Sequence, residues 1–159
     1  MDFYSPTKGK LSFNETYLDL IDYVNQEPHA QWKLIIGSDS QTHLNKEVTF
    51  VTAIIIHRVG KGGRYYFHKQ KHRFMESLRQ RIYYETYLSL EVASKLTAKL
   101  AGNGYDDELN IEIHLDVGEK GETRGIIKEV VGMVIGSGYS ARIKPESYGA
   151  MKVADKYTK

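Results

Sequence analysis

The sequence predicts an α/β fold, a mixed sheet built in the order β-β-β-α-β-α-β-α behind an extra N-terminal helix. Three observations carry that prediction. Short apolar runs rich in β-branched residues, such as Leu34-Ile35-Ile36 and Val48 to His57, read as strands. Longer runs, above all Met75 to Ala101, keep helical spacing. Glycine clusters at Gly60-Lys61-Gly62-Gly63, Gly102-Asn103-Gly104 and Gly136-Ser137-Gly138 mark where one kind of run stops and the next begins.

Taken in order, Ser12 followed by Glu15 forms a capping box for a helix through Phe13, Tyr17, Leu20, Ile21 and Val24, which Pro28 stops. Trp32 to Asp39, Val48 to His57 and Arg64 to Gln70 follow as three strands, and their short connections predict an antiparallel meander. After the long helix, Leu109 to Asp116 reads as a fourth strand and a helix starts at about Thr123. Tyr139 to Ile143 is a short strand broken by Lys144-Pro145, and Glu146 or Ser147 can cap a final helix. The strands reached through helices should run parallel to the first, which places the ends of strands one and four side by side.

With 159 residues the chain is expected to be one domain, 1–159, of which 1–30 form an N-terminal helical extension. It has no cysteine, which excludes a disulfide framework, a thiol nucleophile and a Cys-ligated zinc site. The N-terminus lacks a signal-peptide layout and no apolar run is long enough for a bilayer, so a cytoplasmic protein without membrane contact is expected. The oligomeric state stays open.

The formal charge of +2 is unevenly spread: His57 to Tyr84 hold eight cations and one acid, a local +7, and the remainder carries −5. Tyr65, Tyr66, Phe67, Tyr83 and Tyr84 lie in the same segment. Cations interleaved with aromatics suit a surface that follows phosphates and stacks bases; a solvated basic hairpin is the structural alternative.

Three acids stand where chemistry is plausible. Asp39 ends the first strand and Asp116 the fourth, each with a turn-forming Asp as its structural alternative. At about 100° per residue, Leu78, Ile82, Glu85, Ser89, Val92, Leu96 and Leu100 form one helix face, so Glu85 interrupts an apolar stripe and needs a partner. Arg81 one turn back is the structural candidate. Carboxylates converging from two strands and a helix are ligands for hard divalent cations such as magnesium. Asp155 is a weaker fourth member, because either face of the last helix can be the buried one. His43 and His114 can lie near the site, but no His pair has zincin spacing.

This pattern resembles the ribonuclease H-like superfamily over everything after about Gln31. More narrowly, Ile36-Gly37-Ser38-Asp39-Ser40-Gln41, Tyr84-Glu85-Thr86, His114-Leu115-Asp116-Val117-Gly118, Thr123-Arg124, Ile143-Lys144-Pro145 and Lys156-Tyr157-Thr158-Lys159 look like the bacterial YkuK-type family of ribonuclease H-like proteins. The resemblance implies an acidic metal site of Asp39, Glu85, Asp116 and Asp155. The expected function is a magnesium- or manganese-dependent nuclease acting on RNA, DNA or a hybrid, with Ser40, Gln41, Lys69, Lys71, Arg73, Arg79 and Lys144 contacting substrate. The alternatives are a nucleic-acid-binding module that turns nothing over and an interaction protein using its tyrosine-rich surface.

Overall fold

The structure, a computed structural model, describes residues 1–105 and 109–159. Within the expected helical extension over 1–30, the residues before the first helix instead form a hairpin of β1 (Asp2–Ser5) and β2 (Gly9–Ser12). Its alternation turns Phe3 inward to full burial. The capping box is present: Ser12 Oγ accepts the Glu15 N–H at 3.0 Å and the Glu15 carboxylate accepts the Ser12 N–H at 2.9 Å, opening α1 (Phe13–Asn25).

The meander follows as β3 (Trp32–Thr42), β4 (Val48–Arg58) and β5 (Gly62–His72), antiparallel throughout. Beyond it come α2 (Leu78–Gly102), β6 (Ile111–His114), a 3₁₀ turn at Arg124–Ile126, α3 (Ile127–Gly136), β7 (Ser140–Arg142) and α4 (Tyr148–Thr158). The seven-stranded sheet has the order β2-β1-β5-β4-β3-β6-β7, with β3 parallel to β6 and β6 parallel to β7. The expected mixed α/β sheet, with strands one and four of the core as neighbours, is therefore the fold observed. It is widened by the N-terminal hairpin, which joins through Tyr4 opposite Phe67.

Several boundaries shift for local reasons. α2 starts at Leu78 rather than near Met75 because Ser77 caps it, its Oγ accepting the Gln80 N–H at 3.0 Å. α3 begins at Ile127, behind the 3₁₀ turn, rather than at Thr123. Ser147 stands at the N-cap of α4, yet among the described residues its hydroxyl is buried without a partner and makes no capping bond. Among the described residues no helix is long and apolar enough to cross a membrane.

The pleat assigns the two faces of the sheet. Even-numbered side chains of β3, β4 and β5 turn toward α1 and α2, as the Ser38 to Ser89 hydroxyl bond at 2.7 Å shows. On this side Leu34, Ile36, Ile54, Ile56 and Ile113 pack with Leu20, Val24, Val92, Leu96 and Leu100, all buried. Each such side chain contributes about 1.5–3 kcal/mol. Odd-numbered side chains face α4, where the Phe67 and Tyr157 rings stack 3.7 Å apart.

Gly37 is where α4 comes down on β3. A Cβ there would lie 2.7 Å from Met151 Cε and 2.9 Å from Ala150 Cβ. Gly37→Ala should therefore lower stability by about 1–3 kcal/mol through overpacking. Urea unfolding checks this: the midpoint should fall while the slope stays that of the parent.

Candidate functional site

Two strands and one helix bring the acids together at one end of the sheet. Asp39 lies inside β3, opposite Val51, because the strand continues through Ser40, Gln41 and Thr42 against Phe50, Thr49 and Val48. It is not the strand-ending residue that the sequence suggests, and the turn-forming alternative falls with that. Asp116 stands in the bend just beyond β6, and Glu85 reaches in from the second turn of α2. One carboxylate oxygen from each of Asp39, Glu85 and Asp116 lies within 4.8 Å of the others.

The predicted apolar stripe of α2 is the buried face, and Glu85 is only 5 % exposed on it. Its partner is Ser40, whose Oγ donates to Glu85 Oε2 at 2.5 Å. Arg81 is the smallest of the influences on Glu85, so the structural alternative does not account for its burial. Beneath it, Ser38 Oγ shares hydrogen bonds with Ser89 Oγ at 2.7 Å and Thr52 Oγ1 at 2.9 Å. That chain satisfies all three of these hydroxyls, including the Ser89 that breaks the stripe.

Burial, then the charge of Asp39, holds the Glu85 carboxyl well above the usual carboxylate range, although the Ser40 hydroxyl works against this. Asp39 is pushed up to about 7, first by burial and then by the Asp116 charge, with its bond from the Ser40 N–H at 2.8 Å opposing. Crowded carboxylates of this kind are the donor set of a hard cation: oxygen only, converging, and short of positive charge. The residues present thus fit a magnesium or manganese ion, which Asp39, Glu85 and Asp116 would hold.

The other expected site residues are placed unevenly around this cluster. Asp155 is exposed on α4 and 3.9 Å from Lys159; its charge reaches Asp39, but it stands outside the group of three. Lys144 is closer than its place in the chain suggests: its Nζ lies 2.9 Å from Asp116 Oδ1. The Lys144 N–H donates to Val117 O at 2.8 Å, and its side chain crosses the space that a Cβ on Gly118 would crowd at 3.2 Å. Gln41 accepts from the Thr158 hydroxyl at 3.3 Å on the α4 face.

The basic segment divides into two parts. Arg58 pairs with Glu27, Arg64 with Asp19 at 3.3 Å and Arg79 with Glu129 at 2.7 Å, so these three tie elements together. Lys69, Lys71 and Arg73 are exposed and have no ion-pair partner among the described residues. Asp39, Val51 and Lys69 share one rung of the sheet, and Gln41, Thr49 and Lys71 share another. Two strand spacings, roughly 10 Å, separate these lysines from the Asp39 strand, on the same face.

Neither histidine joins the acids. His43 sits in the turn after β3 with its ring bonded to Thr49 Oγ1 at 2.7 Å. His114 lines the narrow crevice beside Glu85 and Asp116, but its Nε2 is engaged by Glu112 Oε1 at 2.7 Å.

Comparison with known proteins agrees with this fold. The family described as Ribonuclease H-like matches residues 15–159. The chain is 35 % identical, over 170 aligned positions, to the protein named Uncharacterized protein YkuK of Bacillus subtilis (strain 168), an alignment covering 99 % of this chain and 96 % of that one. No solved structure matches significantly. The chain, with its mixed sheet and its three converging acids, belongs to the ribonuclease H-like family.

Proposed function

We propose that this protein is a divalent-metal-dependent nuclease that hydrolyses phosphodiester bonds in nucleic acid. The observation that carries the reading is the convergence of Asp39, Glu85 and Asp116 within 4.8 Å, with Glu85 buried on a core-facing helix stripe. Stability alone does not favour three carboxylates in such a place, since each raises the charging cost of the others.

A divalent cation, when bound, supplies Lewis-acid charge to phosphate oxygens and acidifies water. The chain's own residues hold and aim. Ser40 fixes both acids at once, its N–H on Asp39 and its hydroxyl on Glu85. Lys69, Lys71 and Arg73 stand where they can hold the phosphates of a bound strand. Asp155 serves from the rim of the site, near enough to act on Asp39 electrostatically.

One observation favours a second reading, a module that binds nucleic acid without cleaving it. The Lys144 ammonium already lies on Asp116, supplying part of the positive charge the acids need. Incubating the purified protein with single-stranded RNA and DNA, duplexes, hybrids and branched DNA separates the two. Cleavage in magnesium or manganese that stops in chelator is the expected result. Binding across the panel with no cleavage in either metal would leave the module as the correct reading.

A further inference from the structure

The acids have a second basic approach, on the side of the sheet away from Lys69 and Lys71. The loop after Asp116 and the start of α3 border two open hollows. One is lined by Gly118, Glu119, Lys120, Lys144 and Pro145, and the other by Glu119, Lys120, Arg124, Ile127 and Lys128. The two share Glu119 and Lys120 in their linings and together make up a groove along this loop. Its inner end is Lys144, the residue in contact with Asp116.

Four cations line this groove against one acid, with Glu122 in the same loop but not in the lining. Lys120, Arg124 and Lys128 are exposed, and among the described residues none has an ion-pair partner. The neighbouring Glu129, which would otherwise compete, is held by Arg79. The loop is ordered from within, the Thr123 hydroxyl accepting the Gly118 N–H at 3.0 Å. Unpaired cations on a braced loop, leading directly to an acidic centre, complement a polyanion better than water.

We infer that this groove, with Lys120, Arg124, Lys128 and Lys144 along it, binds the phosphate backbone of the nucleic acid on the β6–β7 side of the acids. Lys69, Lys71 and Arg73 hold it on the β5 side, so the chain is gripped on both flanks of Asp39, Glu85 and Asp116. The inference rests on the proposed function for its ligand, but it concerns binding and not cleavage. It also moves part of the phosphate contact away from the basic segment that dominates the sequence.

The test measures binding of short fluorescent oligo(U) and oligo(dT) strands, in chelator, to the full chain across about 50 to 200 mM salt. Three proteins are compared: the parent, Lys120→Gln/Arg124→Gln/Lys128→Gln, and Arg124→Gln alone. All three side chains are exposed, so the variants should melt as the parent does, and the single variant covers a triple that folds poorly. The triple should bind at least about tenfold more weakly at the upper salt concentration and lose about two units of log–log salt slope, the single about a third of that. If the parent binds and the variants match it in affinity and slope, the groove is not a phosphate site, while the nuclease reading stands. A parent that binds neither strand in any salt overturns the groove, while metal-dependent cleavage across the substrate panel decides the nuclease reading separately.

Discussion

Asp39→Asn should reduce metal-dependent cleavage by at least about a hundredfold, the scale on which removing a group that stabilises developing charge acts. The substitution is nearly isosteric and can still accept the Ser40 N–H that Asp39 accepts at 2.8 Å, so local structure should persist. What disappears is one of three negative charges. Ser40→Ala provides a graded comparison: it leaves all three acids but removes the hydroxyl that holds Glu85 Oε2. A supporting residue of this kind is worth roughly 10–100-fold in metal affinity or activity, and added magnesium should recover part of it. Asp155→Asn, outside the cluster, should have the smallest effect of the three. Initial rates across a magnesium titration give the ranking. Equal losses for Asp39→Asn and Asp155→Asn would mean that the group of three is not the centre.

The parts of this site readable in the sequence are those governed by local periodicity. Glu85 and Ser89 stand out because a helix repeats every 3.6 residues and both fall on a stripe that is otherwise apolar. The adjacency of Asp39 and Asp116 follows from topology, since strands joined through helices run parallel. The end of β3 is obscured in the sequence because Ser38, Asp39 and Ser40 carry turn propensity. Pairing with β4 overrides that preference, as cross-strand contacts commonly do.

Long-range pairing explains the remaining differences. The first hairpin is two strands of four residues, too short for a convincing alternation, and it is secured by contacts such as Tyr4 with Phe67 that no local pattern announces. The +7 segment is plain in the composition, but the acids that neutralise Arg58, Arg64 and Arg79 come from α1, the loop after it and α3. Lys144 reaches Asp116 only because β7 lies beside β6 and the Lys144 N–H is fixed to Val117. Charge can be counted along a chain, whereas its pairing requires the fold.

The second large effect concerns stability without metal, where these acids should act against the fold. In chelator, Asp39 is pushed up to about 7 from an ordinary 3.8, and Glu85 is raised as well. Between those values the folded protein binds more protons than the unfolded chain, so stability is fully present below about pH 4 and is lost as pH rises through about 7. Asp39→Asn removes one of the repelling charges. At pH 8 it should leave the metal-free protein more stable than the parent, on the order of 2 kcal/mol after allowing for solvent around a partly buried group, and should flatten the decline with pH. The Lys144 ammonium on Asp116 keeps the parent's deficit from being larger. Magnesium or manganese, binding the folded form, should then raise the parent's melting temperature with concentration, and Asp39→Asn should lose most of that rise. Thermal melts at several pH values, in chelator and across both metals, decide the matter. A metal-free Asp39→Asn less stable than the parent, with a parent indifferent to both ions, would make the acids structural partners, and the cation site would fall with that result.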